Sequence, residues 1–255
     1  MPGQTIPLEV CVESLSSLRA AADGGADRIE LCSALALGGL TPSPGLLALA
    51  ACQSTPVFVM IRPRAGDFVF SSDEEDTMHQ DINAVAGHAL AGVVLGASKP
   101  DGSLDTACLR RLLDHARARG LHHATLHRAF DLTPDPEAAL EEAIALGFER
   151  ILTSGGAATA EAGASTLRTL CEKSRGRIAI MAGSGVTAAN AVSLLTETGV
   201  NELHASCRTT TPPHTAPSPR MRDFGFGTHH AGTSESVVRA LRAAIDSIVI
   251  SGEKH

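Results

Sequence analysis

The sequence contains no tryptophan and no tyrosine, and only seven phenylalanines among its 255 residues. Its core must therefore be assembled from Ala, Val, Leu and Ile, and single-stranded nucleic acid finds almost no aromatic platform for its bases. Positive charge is scarce too: 21 Lys and Arg stand against 28 Asp and Glu, a formal net charge of −7, with no basic stripe to follow a nucleic-acid backbone or an anionic membrane. Long hydrophobic runs are missing. The longest apolar stretch, around Ala89 to Ala97, is far too short to cross a bilayer, and Met1 to Glu13 has neither the basic start nor the apolar run of a secretory signal. These absences point to a cytoplasmic protein without nucleic-acid or membrane partners. Cys11, Cys32, Cys52, Cys108, Cys171 and Cys207 are dispersed and form no CxxC pair, which fits free thiols better than a disulfide framework.

What is present is a globular α/β pattern. With 44% hydrophobic residues the chain can bury a sizeable core, and α/β barrels run to about 250 residues as one domain. Strands are expected at Leu8–Glu13, Arg28–Cys32, Val57–Pro63, Gly92–Ala97, His123–Arg128, Arg150–Ser154, Ile178–Gly183 and Glu202–Cys207, each rich in Val, Ile or Leu and bounded by Gly, Pro or Ser. Between them lie helical stretches such as Ser14–Ala22, Asp73–Ala89, Asp105–Arg119, Pro136–Leu146 and Thr187–Thr198, with Ser234–Ile250 closing the series. Eight βα units without a composition break favour a single (β/α)8 TIM barrel over residues 1–255. Two longer connections, Arg64–Ser72 and Arg208–Gly232, follow the carboxyl ends of strands, where barrel chemistry sits, and read as lids.

Strand parity tests this reading, because alternate side chains meet the helices or fill the barrel. In the first strand Leu8, Val10 and Val12 oppose Glu9, Cys11 and Glu13; in the second, Ile29 and Leu31 oppose Arg28, Glu30 and Cys32. Packing the apolar sets under helices turns Glu9, Cys11, Glu30 and Cys32 inward, together with Met60, Arg62, Thr125, His127, Glu202, His204 and Ser206. Barrel interiors are usually built of Val, Ile and Leu, and each buried charge costs several kcal/mol unless paired. The inward set is therefore either a polar site or a closed ion-pair network of Glu9, Glu30 and Arg62.

The blocks LEVCVES, GGADRIELCS, GGLTPSPG, VMIRPRAGDF, LHRAFD, ERILTSGG, IMAGSGV and ELHAS, in this order over residues 8–206, resemble the copper homeostasis protein CutC family. The resemblance implies a TIM barrel, a cytosolic protein, a homo-oligomer with a C2 dimer as its simplest form, and a role in copper handling. It also brings Cys11 and Cys32 forward as Cu(I) ligands. The Pro/Thr-rich segment Thr209–Pro219 and the absence of Tyr and Trp depart from better-known members.

Soft thiolates select Cu(I), and cysteines on neighbouring parallel strands are expected roughly 5 Å apart at the backbone. A second chemistry is also encoded. His127, Arg128 and Asp131 group at the end of strand 5, a suitable set for acid/base work on a bound anion, with His204 facing them across the mouth and Glu9, Glu30 and Arg62 nearby. Ser154-Gly155-Gly156 and Gly183-Ser184-Gly185 each lead into a helix and offer backbone N–H groups to phosphate. Arg62 and Arg64, flanking Pro63, suit carboxylate or phosphate. No GxGxxG, GxxxxGK, HExxH or GxSxG occurs, and Cys11-Val12-Glu13 stands where a metal-dependent amidohydrolase barrel would carry HxH. Two readings follow: a copper-binding protein using Cys11 and Cys32, and an enzyme acting on a small anionic metabolite, phosphorylated ones included.

Overall fold

The computed structural model describes residues 5–211, 220, 223–224 and 230–252. Eight parallel strands close into a barrel in chain order: β1 (Leu8–Val12), β2 (Arg28–Leu31), β3 (Val57–Met60), β4 (Gly92–Leu95), β5 (His123–Leu126), β6 (Arg150–Thr153), β7 (Ala179–Ala182) and β8 (Glu202–Ala205), with β8 pairing back onto β1. The helices between them are α1 (Leu15–Asp23), α2 (Pro44–Ala50), α3 (Ser72–Ala86), α4 (Thr106–Ala118), α5 (Pro136–Leu146), α6 (Ala164–Ser174) and α7 (Ala191–Thr198), and α8 (Glu235–Gly252) follows the last strand. This is the expected (β/α)8 TIM barrel.

Local sequence chemistry sets the boundaries. Ser14, Ser43, Ser71, Asp105 and Asp135 each accept a backbone N–H of the first helical turn, satisfying donors that the helix itself leaves unpaired. At α3 the cap is reciprocal, Glu74 reaching back to the Ser71 N–H. Outward strand residues such as Leu8, Val10, Val12, Ile29, Leu31, Val57, Val59 and Ile61 join helix residues such as Leu18, Met78, Ile82, Leu109 and Leu140 in one apolar layer between sheet and helices. The anticipated division between an apolar shell and a polar interior is what the barrel displays.

All eight strands end short of their expected limits, and strands 3 and 5 illustrate why. β3 stops at Met60 before Pro63, which cannot donate to a ladder. β5 stops at Leu126 because the chain turns into a 3-10 helix at Arg128–Leu132, which His127 caps. Most of the 208–232 connection lies outside the described residues. Its two ends form an antiparallel ribbon, β9 (Arg208–Thr211) with β10 (His230–Thr233). No helix among the described residues is long and apolar enough to cross a membrane.

Candidate functional site

The amino-terminal half of the barrel interior holds an ion network. Glu9 receives Arg28 Nε at 2.5 Å and lies 2.8 Å from His204 Nδ1, while Arg28 Nη2 reaches Glu202 at 2.5 Å and Arg150 stands 3.3 Å from the same Glu202 oxygen. Phe58 lies under both guanidinium groups, 5.4 Å from Arg28 and 4.9 Å from Arg150. Burial alone would raise the Glu9 carboxyl, but Arg28 and His204 outweigh it and bring it down to about 2. Arg28, not Arg62, therefore neutralises the inward carboxylates. The signal was visible in the sequence, since Arg28 shares the parity of Glu30.

One layer further along, β1 and β2 pair Cys11 with Glu30 rather than with Cys32. Cys32 is thus displaced by two residues along its strand and is not directly across from Cys11. Cys11 Sγ, a Glu30 carboxylate oxygen and a His204 ring nitrogen all lie within 4.8 Å of one another, and all three residues are buried. Cys32 Sγ sits 3.5 Å from Glu30 Oε2, the oxygen that also faces His204 Nε2 at 3.9 Å. Burial raises the Glu30 carboxyl, and burial followed by the neighbouring Glu30 pushes the Cys32 thiol well up. Burial opposes the charge of His204, yet Cys11, Glu30 and Glu9 outweigh it and hold the imidazole well above its ordinary value. Glu30 Oε1 has no hydrogen-bond partner among the described residues.

A cavity of about 570 Å³ opens above these groups, lined among others by Cys11, Glu30, Arg62, His127, His204 and Ser206. Cys207, packed in the apolar layer, also reaches it. Arg62 does not meet Glu9 or Glu30. Its Nη1 donates to the carbonyls of Leu37 at 3.0 Å and Gly39 at 3.1 Å, and its Nη2 to Gly66 at 2.8 Å. His127 Nδ1 accepts the Ala129 N–H at 3.1 Å, and its ring stacks 4.8 Å from Phe68. It does not share the ion network of His204.

The His127 ring fits because position 96 is glycine: a Cβ there would stand 2.1 Å from His127 Cε1. Gly96→Ala is accordingly expected to destabilise the protein by about 2 kcal/mol through overpacking, read as a fall in Tm by thermal unfolding.

The two glycine turns differ in what they have left to offer. Asp131 takes the N–H groups of Ser154 and Gly156, together with both hydroxyls of Thr153 and Ser154 and the Nε of Arg128 at 2.7 Å. Gly155 N–H goes to Thr153 Oγ1. The Ser154-Gly155-Gly156 turn is therefore filled by Asp131, a carboxylate of its own chain, where a phosphate was expected. In the second turn Gly183 N–H pairs with Thr153, while Ser184 and Gly185, both in the left-handed region at φ 76°, line the cavity. Arg64 lies outside the cavity lining. It ties its own loop through Glu74, Asp67 and the Val69 carbonyl.

The comparisons agree with this architecture. The model of the CutC family matches residues 6–209. The chain belongs to the CutC family. A CutC family protein of Sinorhizobium medicae (strain WSM419) is 50% identical over 244 residues, covering 95% of this chain and 97% of the relative. One from Agrobacterium fabrum (strain C58 / ATCC 33970) is 52% identical over 241 residues, covering 94% of each. Among solved structures, a CutC from Streptococcus agalactiae, put forward as a copper homeostasis protein, is 35% identical with a TM-score of 0.75, covering 79% of this chain and 98% of that one. Thiamine phosphate pyrophosphorylase from Pyrococcus furiosus, at 16% identity and a TM-score of 0.56 over 96% of this chain and 97% of its own, shares the fold alone.

Within this CutC chain, sequence reasoning missed Arg28 and Arg150 as members of the buried network. Both open their strands at positions where an arginine looks like a solvated strand end, and only barrel closure brings them against Glu202.

Proposed function

We propose that this CutC chain handles copper in the cytosol by taking up one Cu(I) at Cys11, with His204, once its imidazolium has released a proton to water, as the second ligand and Glu30 as a weak third. The observation that carries this reading is the grouping of a thiol, an imidazole nitrogen and a carboxylate oxygen within 4.8 Å on three buried strand residues facing a cavity. Soft sulfur beside imidazole suits Cu(I), whereas a carboxylate is a poor partner for it. The donor set fits the ion chemically, and rigid strands hold the ligand atoms close enough to share it. Cys32, next to Glu30, supplies a nearby second thiol for transfer rather than the first contact. The copper homeostasis role put forward for the Streptococcus agalactiae relative supports it as well.

Anaerobic titration against a competing Cu(I) chelator tests the proposal. Reduced protein is expected to take up about one equivalent, and Cys11→Ser to weaken binding by roughly tenfold or more, because a two-ligand site does not survive losing its sulfur. Cys32→Ser should weaken it less. Undiminished affinity in both variants would rule the site out.

A further inference from the structure

We infer that Arg62 and His127 form a receptor for the carboxylate of a small organic monoacid in the barrel mouth, separate from the cysteine cluster. Arg62 is only 4% exposed and His127 3%. Both line the cavity, and each keeps a buried nitrogen without a hydrogen-bond partner among the described residues, Nε of Arg62 and Nε2 of His127.

The chemistry of the two nitrogens is fixed by their surroundings. Three backbone carbonyls pin the outer nitrogens of Arg62, and Phe68 packs against its guanidinium at 4.7 Å, so Nε–H cannot turn away to find another acceptor. His127 Nδ1 accepts the Ala129 N–H, which leaves the proton of the neutral ring on Nε2. The Phe68 ring also stacks on His127, so one aromatic side chain holds both donors in place. The site therefore presents two N–H donors.

Charge decides the class of ligand. Of the arginines lining the cavity, Arg128 is paired with Asp131 and Arg208 with Glu13. Arg62 forms no ion pair among the described residues, so one positive charge is left uncompensated. A monoanion balances it. A phosphate dianion would bring more negative charge than Arg62 balances, and the Ser154-Gly155-Gly156 N–H groups are already taken, which leaves only the Ser184-Gly185 turn to meet it. Leu35, Met60, Phe68 and Leu152 add apolar surface to the same wall, which suits a short carbon body.

This site uses none of the proposed copper ligands, and its test runs on metal-free protein, so either proposal can fail without the other. Wild-type protein is titrated calorimetrically with pyruvate, with lactate and with inorganic phosphate. Saturable binding of pyruvate or lactate is expected. Arg62→Lys, which keeps the charge but loses Nε, and His127→Phe, which keeps the ring but loses both nitrogens, should each weaken it by roughly tenfold or more. In wild type, the His127 Nε2 resonance should shift as pyruvate saturates, a readout that needs no variant to fold. Absence of saturable carboxylate binding, an unmoved Nε2 resonance at saturation, full affinity in the folded variants, or binding of phosphate in preference to the monoacids would each overturn the proposal.

Discussion

Arg28→Met is expected to cost about 3 to 5 kcal/mol of folding stability, the scale for stripping one partner from a buried ion pair. Arg28 bridges Glu9 and Glu202 inside the barrel, and Glu9 is completely buried. Once the arginine is gone, Glu202 still faces Arg150 at 3.3 Å, whereas Glu9 keeps only His204. The cost therefore falls mainly on Glu9, which must either stay charged without its strongest partner or take up a proton. Urea unfolding of wild type and variant at neutral pH measures the difference. A change below about 1 kcal/mol, the range of exposed pairs, would show that the network is hydrated and weak.

The second large effect is a pH dependence centred on His127. Burial, with Arg62 nearby, depresses its imidazole from 6.5 to about 3. The unfolded chain then binds a proton over a range in which the folded protein does not, so stability from this residue is complete above the unfolded value and is withdrawn as pH falls toward the folded one. At pH of about 4.5, two units below the unfolded value, the loss amounts to about 2 to 3 kcal/mol. His204 works in the opposite direction. Its raised value means that its contribution is fully present below 6.5 and fades only as pH rises through its folded value. Acid destabilisation from other groups is common to wild type and variant, so the comparison that isolates His127 is with His127→Phe. Wild type should lose about 2 to 3 kcal/mol more than the variant between neutral pH and pH of about 4.5. Parallel denaturation limbs would contradict the burial of a neutral imidazole.

The sequence alone determined the barrel and the polarity of its interior. Both follow from local rules: strand and helix periods, Ser and Asp caps, and the two-residue alternation that turns Val10, Ile29 and Val59 outward and Glu9, Glu30 and Arg62 inward. It also marked Cys11, Glu30 and His204, which the closed barrel gathers within 4.8 Å. Parity says which way a side chain points, but it is silent about height along the axis and about which strand's side chain arrives from the other side. Those depend on register and closure, which are set by contacts between residues far apart in the chain. That is why Cys11 meets Glu30 instead of Cys32, why β8 brings Glu202 and His204 to Glu9, and why Arg28 takes the neutralising place that a closed network would have given Arg62. The same holds for the glycine turn after β6. Its N–H groups looked free for phosphate because Asp131 lies more than twenty residues earlier, and only the packing of the β5 turn against β6 delivers its carboxylate to them.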